Sequence, residues 1–203
     1  MNPAKIRLSQ KEMELVTNTD LILTKNAILQ KIKQLLADLQ VQQQQCLQSY
    51  SGRIPDEIIQ SSPKISKGEN YNGLPYLMLD YPRVFNSSAI YAIRTMFWWG
   101  NFFSITLHLS GQYKKNNEEK LVTSFQSLLE KGFYYCMNDD EWEHHFEITN
   151  YAPLASINKN DFAEAIRKKS FVKLANKISL KQWDTAEETL LTFFKQITKM
   201  LAD

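Results

Sequence analysis

The sequence has few of the features that mark secreted, membrane or metal-binding proteins. Only two of its 203 residues are cysteine, and Cys46 and Cys136 belong to no CxxC or zinc-ligand spacing, which favours reduced thiols. No apolar run approaches the ~18 residues that a membrane-spanning helix requires. The first 16 residues carry charges throughout, where a secretory signal would need an apolar stretch. These absences predict a cytoplasmic protein that does not enter a membrane.

Catalytic and cofactor motifs are missing as well. The chain has no GxSxG nucleophile elbow, no HExxH zinc motif, no phosphate-binding P-loop and no dinucleotide-binding glycine pattern. We therefore predict no cofactor and no metal site. A mechanism that depends on histidine would have to use His108, His144 or His145, because the chain has three histidines.

The composition is typical of one folded domain, with 43% hydrophobic and 23% charged residues. A formal net charge of +2 is too small to indicate a polyanionic partner, so nucleic-acid binding is not expected. The segment from Arg167 to Lys181 has six basic and no acidic residues, and its lysines recur at every fourth position. We interpret it as the solvated face of a helix, with an anion-binding stripe as the alternative.

The longest alternation of apolar and polar residues runs from Ile90 to Ser110 and is interrupted by Gly100 and Asn101. A Gly-Asn pair suits a two-residue type II′ turn, so the segment predicts a β-hairpin in which Trp99 lies opposite Phe102. In that register one face is apolar except for one arginine, with Trp98, Met96, Arg94, Ala92, Ile90, Phe103, Ile105, Leu107 and Leu109. The other face is mixed, with Trp99, Phe97, Thr95, Ile93, Tyr91, Phe102, Ser104, Thr106, His108 and Ser110.

The mixed face is the predicted ligand-binding surface, because it combines flat aromatic area with neutral hydrogen-bonding groups. Its predicted binding residues are Tyr91, Phe97, Trp99, Phe102, Thr106 and His108. Arg94 also belongs to the candidate residues, since a charge among apolar neighbours needs a partner or a route to water. Asp80 on the preceding strand is the predicted partner. The alternatives are that the guanidinium reaches solvent or that it binds a carboxylate or phosphate.

The remaining segments complete an α+β domain. The predicted parts are a helical N-terminal segment (1–48), a long connection (49–73), a sheet with one inserted helix (74–151) and a helical C-terminal segment (152–203). A second hairpin is predicted from Phe133 to Asn138 and from Trp142 to Tyr151. The predicted architecture is an antiparallel sheet of about five strands, with helices packed mainly on one face and a long N-terminal helix among them.

Three functions stay open on the sequence. The first is a binding or interaction domain that holds a small molecule on the mixed sheet face. The second is an enzyme with His108 or His145 as general base. The third is a structural homodimer assembled through an apolar stripe of the N-terminal helix that includes Leu21, Ile28 and Leu35. That stripe is wider than a two-stranded coiled coil requires, so we expect most of it to pack within one chain.

Overall fold

The computed structural model describes residues 6–203 and has the predicted α+β architecture. The strands are β1 (Lys64–Tyr71), β2 (Leu74–Phe85), β3 (Ile90–Trp98), β4 (Phe102–Ser110), β5 (Tyr134–Cys136), β6 (Tyr151–Pro153) and β7 (Phe171–Ser179). All seven form one antiparallel sheet in the order β1-β2-β3-β4-β7-β5-β6, which is larger than the five strands expected. β7 inserts between β4 and β5 and so joins the central strands to the small edge hairpin.

The helices are α1 (Gln10–Thr17), α2 (Thr19–Gln48), α3 (Asp56–Ile59), α4 (Gly111–Thr123), α5 (Phe125–Glu130), α6 (Lys159–Lys168) and α7 (Ala186–Ala202). Ser9 and Glu12 form the capping box of α1, and Asn18 ends α1 and caps α2. From α2 onward their apolar sides pack on one face of the sheet in a single core cluster. Within residues 6–203, none of the helices combines the length and the hydropathy that crossing a membrane requires.

The hairpin of β3 and β4 forms as predicted, but its register differs by one residue. The Asn101 N–H donates to the Trp98 carbonyl oxygen at 3.0 Å, which closes a β-turn whose third residue, Gly100, has a φ of 73°. Trp98 therefore lies opposite Phe102 rather than Phe103. A shift of one residue moves every side chain of β4 to the other face relative to β3, so both predicted face assignments are wrong.

The segment on the N-terminal side of the hairpin also differs from the prediction. The predicted connection of residues 49–73 contains α3 and the edge strand β1. β2 bulges at Tyr81 and Pro82 and continues to Phe85, because the pairing with β3 resumes when Arg83 meets Ala92.

The C-terminal half differs more. The predicted strand from Trp142 to Tyr151 is instead part of a loop, residues 137–150, and only Tyr151 belongs to a strand, β6. The loop lies on the sheet face opposite the helices, and we call it the cover loop. The basic segment predicted as a helix contains β7. Lys173 and Lys177 share a face of the strand, as they would have shared a face of the predicted helix. A spacing of four residues fits about one helical turn and also two strand periods.

The N-terminal end of the chain projects from this body. Every residue from 6 to 24 is exposed, and α1 has no buried residue. We call residues 6–24 the arm. Beyond it, the stripe of α2 that packs on the sheet consists of Leu29, Ile32, Leu36, Leu39, Gln43 and Leu47. Ile28 and Leu35 pack against the core, as expected for the stripe, whereas Leu21 does not.

Candidate ligand-binding site

A group of polar and charged side chains lies at the centre of the sheet face opposite the helices, which we call the loop-covered face. The register places Asp80 beside Arg94, Arg94 beside Thr106, and His108 beside Lys173. These five residues therefore follow one another across four adjacent strands on the same face. Most of this centre is buried: His108 has no exposed surface, Lys173 is 2% exposed and Asp80 is 6% exposed.

The cover loop closes over this polar centre and is held by hydrogen bonds from the sheet. The Lys173 Nζ donates to the Glu143 carbonyl oxygen at 2.5 Å, and the Lys169 Nζ donates to the carbonyl oxygens of Met137 and Asn138 at 2.6 Å. The Tyr71 hydroxyl accepts from the backbone amides of His144 and His145 and donates to the Glu143 carboxylate at 2.8 Å. The middle of the loop is thus tied to β1 and β7, and its first residues are tied to Lys169, which lies just before β7.

Arg94 and Asp80 form the predicted ion pair. The Arg94 Nε donates to the Asp80 carboxylate at 2.7 Å, with side chains 12% and 9% exposed respectively. The guanidinium also lies near the rings of Phe85 and Trp142, at 5.5 and 5.7 Å from their centres. Its Nη1 is buried and has no hydrogen-bond partner among the described residues. The pair is therefore fixed in place while part of its donor capacity is unused.

His108 faces a carboxylate from the cover loop. Its Nε2 lies 2.9 Å from the Glu141 carboxylate. Burial, with the nearby charges of Lys173 and Arg94, lowers the pKa of His108 to about 3, so the ring is neutral at pH 7 and donates its Nε2–H to Glu141. Its Nδ1 is buried without a hydrogen-bond partner within residues 6–203. Burial also raises the pKa of Glu141, so neither group is in the environment that its charged form prefers.

Lys173 is the least expected member of the centre. Burial lowers the pKa of its ammonium to about 8 from an ordinary 10.5. Within residues 6–203 its Nζ makes one hydrogen bond, to Glu143, and no ion pair, although an ammonium has three donors. The Tyr151 ring lies 5.3 Å from Nζ, and its buried hydroxyl faces Thr106 without a hydrogen bond of normal geometry.

A pocket of about 480 Å³ opens at the edge of this centre. Its lining includes Glu141 and Trp142 of the cover loop and Phe171 of β7. The rest of the lining is Asn86, Ser87, Ser88, Ala89, Ile90, Ser110, Gly111 and Ser170. Because Glu141 both lines the pocket and bonds His108, it connects the open pocket to the buried centre.

The structure separates the residues that the sequence had grouped into one site. Arg94, Thr106 and His108 lie at the polar centre, and Phe102 lies on the same face, where it packs against Phe146 of the cover loop. Tyr91 and Phe97 lie on the opposite face in the core beneath the helices, and Trp99 in the turn packs against that same core. The shift in register explains this division.

Sequence reasoning missed Lys173, Glu141 and Tyr151 as site residues. Lys173 carried a signal, since the alternation Val172, Leu174 and Ile178 is the pattern of a strand with one apolar face. Glu141 and Tyr151 carried none, because Glu141 reaches the sheet through a loop and Tyr151 begins the three-residue strand β6. Comparison of the chain with protein-family models, with curated proteins and with solved structures gave no match.

The general-base hypothesis stays a prediction. His108 has the carboxylate neighbour that orients a histidine base, but its ring has no exposed atom. The Nε2 of His145 lies 3.6 Å from the Glu143 carboxylate, and the His145 side chain is 15% exposed. Neither histidine lines the edge pocket, whereas Glu141 does.

Proposed function

We propose that the protein is a binding domain that holds a small polar molecule against the loop-covered face, under the cover loop and beside Glu141 and Trp142. The observation that carries this proposal is Lys173, a 2% exposed ammonium whose hydrogen bonds are incomplete within the described chain. A buried cation is costly unless it is paired and fully hydrogen-bonded. A ligand that completes these bonds gives the arrangement a physical reason.

The energetic cost of Lys173 supports a role other than packing. Lowering its pKa from 10.5 to about 8 corresponds to roughly 3 kcal/mol at neutral pH, where the ammonium stays charged in the fold. An apolar side chain at this position would fill the same space without that cost. Perturbed ionisable groups beside a pocket are characteristic of binding and catalytic sites.

Thermal shift with four classes of small molecule tests the proposal without knowledge of the ligand. The probes are sodium phosphate, sodium acetate, ethylammonium chloride and glucose, each matched in ionic strength with sodium chloride. At least one class should raise the melting temperature of the wild type, because a ligand that binds the native state stabilises it. Lys173→Met should abolish that shift.

Lys177→Met is the matched control, since Lys177 lies on the same strand and face but is exposed. The shift in melting temperature of Lys177→Met with each probe should equal that of the wild type. A wild type that responds to none of the four classes, or an equal response of Lys173→Met and Lys177→Met, contradicts the proposed function.

A second candidate function is self-association through the arm. Its exposed apolar side chains are Ile6, Leu8, Met13, Leu15, Val16, Leu21, Ile22 and Leu23. A concentration of exposed apolar side chains in one short segment is typical of an interaction site. The 8-residue helix α1 has no buried residue, and an isolated helix of that length is marginal in water. A partner that packs on the arm would supply the missing stabilisation.

The arm's charges favour a second copy of this chain as that partner. Among its basic residues are Arg7 and Lys11, and its acidic ones are Glu12, Glu14 and Asp20, so two equal arms can meet without strong repulsion. A two-fold axis would place the same apolar surface on both sides of the interface.

Sedimentation equilibrium of the full chain tests this second candidate. The wild type should be a dimer, and the double substitution Val16→Asp with Leu23→Asp should weaken the dimer by more than about tenfold. Val41→Asp is the control, since Val41 is an exposed apolar residue of α2 outside the arm, and it should leave the dimer intact. A monomeric wild type, or equal loss in the Val41 variant, contradicts self-association through the arm.

A further inference from the structure

We infer that the ligand of the loop-covered face is a small oxyanion, a carboxylate or a phosphate, and that Glu141 occupies part of its place in the closed structure. This inference rests on the proposed function. It follows from an excess of hydrogen-bond donors in the polar centre and from the position of one loop carboxylate among them.

The donor excess comes from Arg94, Lys173 and Tyr151. Arg94 uses its Nε on Asp80 and leaves a buried Nη1 without a partner among the described residues. Lys173 gives one hydrogen bond to a backbone oxygen, and the Tyr151 hydroxyl is unpaired within residues 6–203. Oxygen atoms that carry negative charge are the acceptors that such donors bind most strongly. A neutral or cationic ligand would leave the ammonium uncompensated.

The sheet register brings the donors within reach of one small molecule. His108 lies directly opposite Lys173, and Arg94 lies opposite Thr106, two residues from His108 on β4. Neighbouring positions on one face of a sheet are about 5 to 7 Å apart. Arg94 and Lys173 are both close enough to His108 for their charges to lower the pKa of its ring, so the guanidinium and the ammonium both lie near the imidazole N–H that a carboxylate or phosphate group would bind.

Glu141 already supplies one carboxylate to this group of donors. Its carboxylate lies 2.9 Å from the Nε2 of His108. Trp142, the other cover-loop residue that lines the pocket, is 50% exposed. Burial raises the pKa of Glu141, so its charged form is held there against a desolvation penalty. A ligand oxyanion that displaces Glu141 would keep the bond to His108 and return the glutamate to water through the edge pocket. The Glu141 carboxylate thus competes with the ligand oxyanion for the N–H of His108.

Isothermal titration of the full chain with sodium phosphate and with sodium acetate tests the inference. Glu141→Gln keeps an acceptor for His108 but removes the competing charge, so both anions should bind it about tenfold more tightly than the wild type. Lys173→Met should weaken both by at least about tenfold. Glu147→Gln is the matched control, because Glu147 is an exposed acid of the same loop, and it should bind like the wild type. Phosphate and acetate are titrated separately, so their relative affinities identify which oxyanion the site prefers.

The outcomes separate this inference from the proposed function. If ethylammonium or glucose stabilises the protein through Lys173 while both anions fail, the binding function stands and the oxyanion inference is wrong. If anions bind but Glu141→Gln behaves like Glu147→Gln, the competition by Glu141 is wrong. If no class of probe binds, the proposed function itself fails. Circular dichroism of each variant establishes that its fold is retained.

Discussion

The two faces of the sheet are stabilised in different ways. On the helix-covered face, residues such as Phe103, Ile105 and Leu107 are fully buried among apolar side chains of the helices. On the loop-covered face, the centre is occupied by Arg94 and Lys173, whose charges are buried under a loop. Burial of apolar side chains on the first face stabilises the fold. Burial of charges on the second face costs free energy, which the apolar burial offsets. This difference indicates which face holds the structure together and which is available for a ligand.

The largest expected effect compares neighbouring residues on the two faces. Phe103→Ala removes a fully buried ring beneath the helices and should lower the free energy of unfolding by about 4 kcal/mol. Phe102→Ala removes a half-buried ring on the other face and should cost about 1 to 2 kcal/mol. Urea unfolding of both variants measures the difference. Equal losses would mean that the loop-covered face contributes as much to stability as the core does.

Acid should destabilise the loop-covered face next. The pKa of His108 is about 3 in the fold and 6.5 when unfolded, so the unfolded chain binds more protons between these values. The stabilisation is present above pH 6.5 and is lost as the pH falls toward 3, with about 3 kcal/mol of the loss between pH 7 and pH 4. His144, whose pKa is lowered in the same direction by burial, contributes to the same loss. Urea midpoints between pH 7 and 4 should fall more steeply for the wild type than for His108→Gln, and parallel curves would contradict this account.

Removing Arg94 tests the buried ion pair. Arg94→Ala leaves the carboxylate of Asp80, 9% exposed as a side chain, without its counter-charge. The expected loss is about 3 kcal/mol, at the lower end for buried pairs, since both groups keep some exposure. The double variant with Asp80→Asn should recover part of the loss, because no uncompensated charge remains. An Arg94→Ala variant as stable as the wild type would show that Asp80 is solvated instead.

The sequence predicted what depends on one strand or one turn and failed where two segments had to be matched. The alternation within β3 correctly placed Arg94 with Met96 and Trp98, and the pairing of Arg94 with Asp80 is independent of β4. The match between β3 and β4 depended on whether the turn held two or three residues, which Gly100 and its neighbours do not decide. Both face assignments changed with that one residue.

The rest of the site depended on packing that no local pattern encodes. The stretch around His144 alternates as a strand would, yet two of its apolar side chains, Trp142 and Ile148, are 50% and 80% exposed. The Tyr71 hydroxyl and the Lys173 ammonium, both distant in sequence, hold this stretch as a loop. Glu141 reaches His108 only because of that loop, so the candidate site could be assembled only in three dimensions.

Replacing the buried cation itself should change the stability less than Phe103→Ala, acid or Arg94→Ala does, and in the opposite direction. Lys173→Met removes a cost of roughly 3 kcal/mol at neutral pH but also loses a hydrogen bond to the cover loop worth about 1 kcal/mol, so the variant should be about 2 kcal/mol more stable.

The pH dependence of the stability gives an independent check. The folded pKa is about 8 and the unfolded value 10.5, so wild-type stability should rise between these pH values, as the native state releases its proton first. That rise should be absent in Lys173→Met and present in Lys177→Met. A Lys173→Met variant that is less stable than the wild type at pH 7 would make the ammonium a structural anchor of the cover loop, and the contrast between the two faces would then disappear.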